Sequence, residues 1–408
     1  MTMFGRWQAW ILCGFSALVF WGCPTPVVKK PKPRIRKVVV QRQTPEDMYR
    51  EARSLHESGK QSGKVDFARV VRLYQQALRE KPDLVQARFN LAALYEEKGD
   101  YAQAAGLLAD VLRVKPRHAP SIYRLSQVYF RLKKYRSSLS LMQRFVSLKP
   151  AMKKNPKVLM NMASIMTEAG DYNNALAKAR ECLSLDSKSV EAYRAIARVY
   201  LKQKRYKSVH FVYELAEKLK KKDAKLENIR GLAYLGQRKF PLAMLAFGQA
   251  VQVNPRLFEA QMNLGALALQ YQDKQRAVRA LGVATKLRPR HRQALLAYAV
   301  ALRTTKKMKA AEAVYKNRLL AMKKNDPAAL YNLGVLYVKF LSKPKEGKSY
   351  LRRFIGEMGD RVQSNHPAHQ MIKQADQAIL MQERMNKRMQ KRGERMKKQS
   401  LKKPKPKK

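Results

Sequence analysis

Small residues recur along most of this chain with a nearly constant step. One series has steps of 34, 37, 34, 34, 34, 34 and 35 residues and consists of Ala92, Ser126, Ala163, Ala197, Gly231, Gly265, Ala299 and Gly334. A second series lies twelve positions later, keeps the same steps and has one bulkier member; it consists of Ala104, Ser138, Ala175, Val209, Ala243, Ala277 and Ala311. Two registers that agree predict a repeat of paired helices, because small residues let two helices approach closely.

Aromatic residues and prolines follow the same step. The aromatic residues that fall near the small ones are Tyr95, Tyr129, Tyr200, Tyr234 and Tyr337, and then Tyr101, Tyr135, Tyr172, Tyr206 and Phe240. The prolines that close units are Pro82, Pro116, Pro150, Pro255 and Pro289. Aromatic rings fill the space beside small residues, and proline ends the second helix of each unit. A coiled coil or generic bundle would not produce this step in two registers.

One unit carries a recognisable motif. It comprises Phe89, Asn90, Leu91, Ala92, Tyr95, Gly99, Tyr101, Ala104, Leu108 and Pro116. The chain thereby resembles a tetratricopeptide repeat protein, over roughly three-quarters of its length. The resemblance implies an all-α fold, a right-handed α-solenoid of about nine helix-turn-helix repeats with a C-terminal capping helix. We expect the solenoid over residues 46–360, with a degenerate first unit that carries an insertion around residues 57–66.

Some units depart from the motif. Ser187, Lys221 and Lys323 stand where a closing proline is expected, Arg230 replaces a leucine, and Arg318 replaces a small second-helix residue. We expect these units to be packed more loosely than the others.

The resemblance also implies where partners bind. In that family the first helix of each unit lines a concave groove whose ligands are extended peptides or partner helices. The groove residues carried over in this register are Asn90, Tyr123, Arg124, Gln127, Arg131, Asn161, Arg194, Arg198, Asn228, Asn263, Arg303 and Asn332. Asn can bracket a peptide backbone and Arg can bind a carboxylate, so we expect an acidic peptide segment, helix or C-terminal carboxylate as ligand. The alternative is that each is simply a solvated polar position.

The charge balance widens the range of partners. The chain has 85 Lys plus Arg against 30 Asp plus Glu, a formal net charge of +55. Any acidic polymer is therefore a potential ligand. Residues 24–45 are rich in Pro, Val and basic residues and predict an extended tether that holds the body off a membrane, with contact to anionic lipid or glycan as the alternative.

The first residues have the pattern of a secretory signal. Arg6 is followed by an apolar stretch from Trp7 to Gly22 that is too short for a membrane-spanning helix, which needs about 20 residues. It ends at Cys23. We therefore expect residues 1–23 to direct export.

Gly22 and Cys23 resemble the end of a bacterial lipobox, in which a small residue precedes the lipidated cysteine. Phe20 and Trp21 depart from that motif, and an uncleaved anchor or ordinary secretion is the alternative. The resemblance implies a lipid anchor at Cys23 in the cell envelope. Pro24 in place of Asp implies the outer membrane, with the protein facing the periplasm.

The C-terminal region is divided into two predicted segments. Apolar residues at helical spacing predict a capping helix over residues 361–392, and the basic composition of residues 393–408 predicts a disordered tail. The tail could contact a membrane, a glycan or nucleic acid, but export argues against nucleic acid.

No pattern indicates catalysis, a metal or a cofactor. The six histidines are scattered apart from His366 and His369, which have no nearby carboxylate or thiolate to complete a metal site. Of the three cysteines, Cys182 is the one in the body, where it reads as a small apolar filler.

The leading hypothesis is thus a non-enzymatic, lipid-anchored scaffold that binds protein partners in the envelope. By analogy with similar lipoproteins, it would assist assembly of pilus, secretion or gliding-motility machinery. The second hypothesis is a polyanion-binding repeat protein that takes surface glycan or nucleic acid, and a cytoplasmic nucleic-acid-associated repeat protein is the third.

Overall fold

A computed structural model describes residues 43–401, and side chains as far as residue 398. Within this range nineteen α-helices follow one another. Their bounds are α1 Pro45–Ser62, α2 Phe67–Glu80, α3 Val85–Lys98, α4 Tyr101–Val114, α5 Ala119–Arg131, α6 Tyr135–Leu148, α7 Pro156–Ala169, α8 Tyr172–Leu185, α9 Val190–Lys202, α10 Tyr206–Glu217, α11 Ala224–Gly236, α12 Phe240–Val253, α13 Phe258–Gln270, α14 Lys274–Leu287, α15 Arg292–Thr304, α16 Met308–Ala313, α17 Pro327–Lys339, α18 Pro344–Met358 and α19 Pro367–Leu401.

The described helices stack as nine antiparallel pairs in an α-solenoid, followed by α19, which confirms the predicted fold. Each helix packs mainly against its neighbours in sequence. From α7 to α17, each odd-numbered helix also packs against the next odd-numbered helix. The first helices of the units therefore form the inner, concave layer, and the second helices form the outer one.

The two small-residue series are the contact points inside each pair. Every member is buried. A Cβ atom added to Gly231 would lie 2.5 Å from the ring of Phe247, and one added to Gly265 would lie 2.5 Å from Leu281. In these two units the first-helix residue must be small because a large second-helix side chain, sixteen positions later, fills the space opposite it.

The tight turn inside each pair ends the first helix with one left-handed residue. This residue is Gly99 in one unit and Lys133, Lys204 or Lys306 in others, with φ between 57° and 85°. In the turn after α9, the N–H of Arg205 donates to the carbonyl of Tyr200 at 2.8 Å. This hydrogen bond closes the end of the helix in the way that usually requires glycine as the left-handed residue.

Two irregular steps in the repeat have different structural causes. The step of 37 residues is absorbed between α6 and α7, where a 3₁₀ turn, Pro150–Met152, lengthens the loop. The step of 35 residues is absorbed inside a helix, because α16 continues into a π-helical segment, Val314–Leu320. That second helix spans residues 308–322, one residue longer than the 14-residue α14, while the loop after it keeps its usual length. Lys324, not Lys323, consequently occupies the turn position of the closing proline.

Two of the residues that depart from the motif have specific packing roles. Arg318, in the π-helical segment, donates to the carbonyls of Thr285 at 3.2 Å and Pro289 at 3.0 Å in the preceding unit. The guanidinium of Arg230 lies 4.0 Å from the centre of the Tyr213 ring. These side chains bind neighbouring elements, and looser packing of the units that depart from the motif stays a prediction.

The solenoid ends in α19, which differs from its predicted extent. Its first turns pack on α17 and α18, as expected of a cap. The helix runs to Leu401, however, so residues 393–401 are helical and not part of a disordered tail. Between Pro367 and Pro404 the sequence has no proline, and Met, Arg, Lys, Gln and Glu all favour helix.

Candidate partner-binding groove

A concave groove runs across the first helices in the middle of the solenoid. Its cavity of about 730 Å³ is lined by α5, α7, α9, α11 and the start of α13, together with Arg288 after α14. The apolar side chains that line it are Phe130, Met160, Ala195, Leu201, Ile229, Leu232 and Leu257. The basic ones are Arg131, Arg194, Arg198, Lys202, Lys225 and Arg288, against the two acidic residues Glu191 and Glu259. The groove therefore combines apolar contact area with an excess of positive charge.

Four of the basic side chains are held by ion pairs. Arg194 lies 2.5 Å from Asp223, and Arg288 lies 2.7 Å from Glu259. Arg198 and Lys202 both bind Glu168, at 2.7 and 2.8 Å. These pairs fix the positions of the cations, and Arg198 with Lys202 keeps a net positive charge because the two share one carboxylate.

The remaining two basic side chains have no such partner. Neither Arg131 nor Lys225 forms an ion pair within residues 43–398, and both are exposed. They are therefore available to bind a carboxylate of another molecule.

Glu168 organises one wall of the groove. Its carboxylate is only 13% exposed. Burial raises its pKa, but the hydrogen bonds from Lys202 and Arg198 outweigh burial, so the pKa lies below the ordinary value of 4.5. The side chain thus stays ionised at neutral pH and keeps two cations on the same part of the groove.

The structure divides the groove residues predicted from the repeat register into two groups. Arg131, Arg194, Arg198 and Asn228 line the cavity. The other predicted residues, Asn90, Tyr123, Arg124, Gln127, Asn161, Asn263, Arg303 and Asn332, lie on first helices but do not line it.

Most of the predicted asparagines brace one first helix against the next. Asn90 donates to the hydroxyl of Tyr49 at 3.3 Å, and Asn161 donates to that of Tyr123 at 2.6 Å. Asn263 donates to the side-chain oxygen of Asn228 at 2.9 Å. These amides have a structural role that the repeat register alone does not reveal.

Two further predicted residues bind within the solenoid. Arg124 pairs with Glu96 at 2.8 Å and lies 4.8 Å from the centre of the Phe89 ring. Asn332 donates to the carbonyl of Ala328 in its own helix at 2.8 Å. Their polar groups are already engaged.

Sequence reasoning missed several groove residues. Lys202 lies one turn after Arg198, so its presence on the same face could have been read from the spacing. Lys225 occupies the start of a first helix, and could also have been included. Arg288 follows a second helix and reaches the groove from outside the predicted register, so no sequence signal pointed to it.

The candidate chemical groups outside the groove have packing roles. Cys182 is 1% exposed, packs against Leu159 and Ala192, and burial raises its thiol pKa. The His366 ring packs between Tyr331 and Phe354. No cluster of three or more His, Cys, Asp or Glu residues able to hold a metal occurs within the described range.

The anchor prediction concerns residues that lie outside this range. Cys23, the leader and the tether up to residue 42 precede the first described residue, and residues 402–408 follow the last. Among the described helices, none has the length and apolarity needed to cross a membrane.

Stacked helix pairs with a concave face of mixed apolar and cationic character define a helical-repeat binding scaffold. Models of the tetratricopeptide repeat match residues 63–125, 230–282 and 267–319. The chain therefore contains tetratricopeptide repeats. Repeats of this kind are protein–protein interaction scaffolds and are typically not catalytic.

One solved structure shares the fold over more than half of this chain. A tetratricopeptide repeat protein from Parabacteroides merdae ATCC 43184 superimposes with a TM-score of 0.51 and 15% sequence identity, over 62% of this chain and 99% of that chain. A thermophilic tetratricopeptide repeat protein from Thermus thermophilus matches at a TM-score of 0.39 and 21% identity, over 45% of this chain and 98% of that chain. No curated protein sequence matches significantly.

Proposed function

We propose that this protein is a non-enzymatic scaffold whose groove binds an acidic segment of a partner protein. The observation that carries the proposal is the pairing of an apolar surface with two cations, Arg131 and Lys225, that have no ion-pair partner in the described range. Apolar side chains of the partner would pack on residues such as Met160 and Ile229. Its carboxylates would bind the two cations.

Electrostatics favour the same class of partner. The net charge of +55 attracts acidic molecules over a distance and raises the rate of encounter, while the groove decides which of them stay bound. Bound carboxylates would also balance the charge around Arg198 and Lys202, which share the single carboxylate of Glu168.

The test compares two double variants of equal charge. Arg131→Gln with Lys225→Gln removes the two unpaired groove cations, and Arg136→Gln with Lys207→Gln removes two exposed cations from second helices. The probe is a short fluorescent peptide of alternating Glu and Leu, with binding followed by anisotropy. We expect the groove variant to bind roughly tenfold or more weakly and the second-helix variant to bind nearly as well as wild type. Equal binding by all three proteins would refute the groove as the site.

The second candidate function is binding of polyanions. It is favoured by the basic composition of residues 24–45 and of the C-terminal region. Heparin binding that falls steeply with salt, and that both double variants weaken equally, would support it in place of the groove.

We further propose that the scaffold is held at the bacterial envelope by a lipid on Cys23, at the outer membrane and facing the periplasm. The apolar stretch that ends at Gly22 and Cys23 supports this location, and the basic residues 24–45 would separate the solenoid from the bilayer. Assembly of pilus, secretion or motility machinery is the process we propose for such a scaffold.

Cell fractionation of wild type and Cys23→Ala tests the anchor. We expect wild type in the membrane fraction with a lipid-modified mature mass, and the variant without the lipid. Recovery of both as full-length soluble protein would contradict the location and would favour the nucleic-acid-associated alternative.

A further inference from the structure

The last helix continues well beyond the solenoid that it caps. Ala368, Met371 and Ala375 are buried against α17 and α18. Farther along, Gln382 donates to the carbonyl of Ser342 at 3.4 Å and Glu383 pairs with Lys345 at 3.3 Å. Every side chain from residue 384 to residue 398 is exposed. Relative to the other described residues, this part therefore extends away from the body of the protein as a helix that rises about 1.5 Å per residue.

This part of the helix carries an exposed row of methionines. Met385, Met389 and Met396 are 57%, 65% and 62% exposed. A long apolar side chain repeated on the surface of an α-helix normally marks a face that packs against another element.

The exposed row continues the face that packs on the solenoid. Met371, Ala375, Ala378, Met385, Met389 and Met396 are separated by four, three, seven, four and seven residues. This is the spacing of the core positions of a coiled coil, so all six lie on one narrow stripe of the helix. The stripe is covered at its start by α17 and α18, and after Glu383 no other described residue covers it.

We propose that residues 381–398 bind an acidic amphipathic helix of another protein, packed along the methionine stripe. The segment has eight basic and two acidic residues, so the matching surface must carry negative charge. The stripe is narrower than the apolar face of a typical surface helix, over ~100° wide, and fits a single partner helix. Methionine is well suited to this use because its flexible side chain adapts to different partners.

Arg392 further supports an acidic helix as the partner. It occupies a stripe position between Met389 and Met396, where the spacing would otherwise place an apolar side chain. A charged residue in a coiled-coil seam selects the partner that offers a matching group, here a carboxylate. A second copy of α19 would bring two strongly basic helices together, and a bilayer would meet Arg392 within the apolar stripe.

The test uses the full chain and a designed probe helix with Leu at its core positions and Glu on its flanks. Met385→Gln, Met389→Gln and Met396→Gln together remove the apolar stripe while keeping charge and helix propensity. Lys387→Gln, Lys391→Gln and Lys398→Gln form the matched control, which keeps the stripe and removes three charges. By titration calorimetry, we expect the stripe variant to bind roughly tenfold or more weakly at every salt concentration. The lysine variant should lose affinity mainly at low salt.

Each other outcome overturns the proposal, and two of these outcomes identify a different occupant of the stripe. Wild-type affinity in the stripe variant would mean that the methionines do not form the site. Binding to phosphatidylglycerol vesicles that the stripe variant loses, without binding to the probe helix, would indicate a membrane surface. Self-association abolished by the same variant would indicate a second copy. The groove double variant Arg131→Gln and Lys225→Gln separates this site from the groove, because it must leave binding of the probe helix to α19 unchanged.

Discussion

At the scale of single residues, the repeat is maintained by side-chain size. Gly231, Gly265 and Gly334 each stand opposite a large side chain of the second helix, and a Cβ atom at each position would lie 2.5 Å from it. Other units have Ala or Ser at this position. In the three glycine units, the missing first-helix side chain is therefore coupled to the close approach of the large second-helix side chain.

The coupling predicts opposite effects for two glycine substitutions. Gly231→Ala should destabilise the protein by about 1–2 kcal/mol, because its Cβ would displace the Phe247 ring. Gly248→Ala should stabilise it by about 0.5–1 kcal/mol, since that helical glycine has no neighbour within 4 Å of an added Cβ. Urea denaturation of both variants measures this, and a gain in stability for both would contradict the coupling.

Asp326 gives a second prediction at this scale. It is 1% exposed, caps α17 by accepting from the N–H of Ala329 at 3.0 Å, and binds Arg292 at 3.0 Å. Burial raises its pKa, but these hydrogen bonds outweigh burial, so the pKa lies below the ordinary value of 3.8. A carboxyl group whose pKa is lowered in the folded protein stabilises the fold at pH values above its ordinary pKa. That stabilisation is lost as the pH falls through the lowered pKa.

Asp326→Asn isolates the charge, because Asn is an equally good N-cap. We expect the variant to melt at a lower temperature than wild type at neutral pH. The difference should shrink as the pH falls below the ordinary carboxyl value of 3.8 and through the lowered pKa of Asp326, where the wild-type carboxylate becomes protonated. A difference that stays constant over this range would show that the ion pair does not contribute.

At the scale of elements, the turn inside each pair keeps the same left-handed backbone conformation at one position, although the residue there differs between units. Lys133, Lys204 and Lys306 adopt the left-handed conformation that Gly99 adopts in its unit. This conformation costs a non-glycine residue about 1–2 kcal/mol, and the closing backbone hydrogen bonds hold the lysines in it.

Replacing one of these lysines by glycine should therefore stabilise the fold. Lys204→Gly should gain about 0.5–1 kcal/mol, because relief of the left-handed conformation exceeds the greater flexibility of glycine in the unfolded chain. Arg279→Gly, in the middle of α14, removes one positive charge as well but should lose about 1 kcal/mol. Thermal melting of the two variants distinguishes the effects; a loss in both would mean that the turn is not strained.

The sequence pattern was sufficient to predict the helix pairs, but it was insufficient to predict which residues line the groove. Helix pairs follow from small residues, aromatics and prolines because those residues act locally and repeat. The repeat pattern does not predict that Asn161 links two first helices. That role depends on the hydroxyl of Tyr123, which lies 38 positions earlier in the sequence, on another first helix. Arg288 lines the groove from outside the first-helix register for the same reason: long side chains cross between layers.

At the scale of the whole molecule, charge opposes the compact state. The net charge of +55 is spread along the whole chain, and in most ion pairs of the described residues at least one partner is exposed. Exposed ion pairs contribute roughly 0–1 kcal/mol each, whereas repulsion between like charges acts across many units.

We therefore expect salt to stabilise the protein. Sodium chloride screens the repulsion over about 10 Å at 0.1 M, and the melting temperature should rise as salt is added from low ionic strength. Differential scanning fluorimetry in a salt series measures this, with a neutral osmolyte at equal osmolality as the control. A melting temperature that falls with salt would show that the ion pairs outweigh the repulsion.

The π-helical segment Val314–Leu320 has a consequence for how the length of such chains can change. One extra residue is contained in a widened turn of a single second helix, and the loop that leads to α17 keeps the length found elsewhere. A one-residue insertion or deletion at this place is thus confined to its own unit. Units of a solenoid can accordingly diverge in length during evolution, one at a time, while the units on either side keep their stacking.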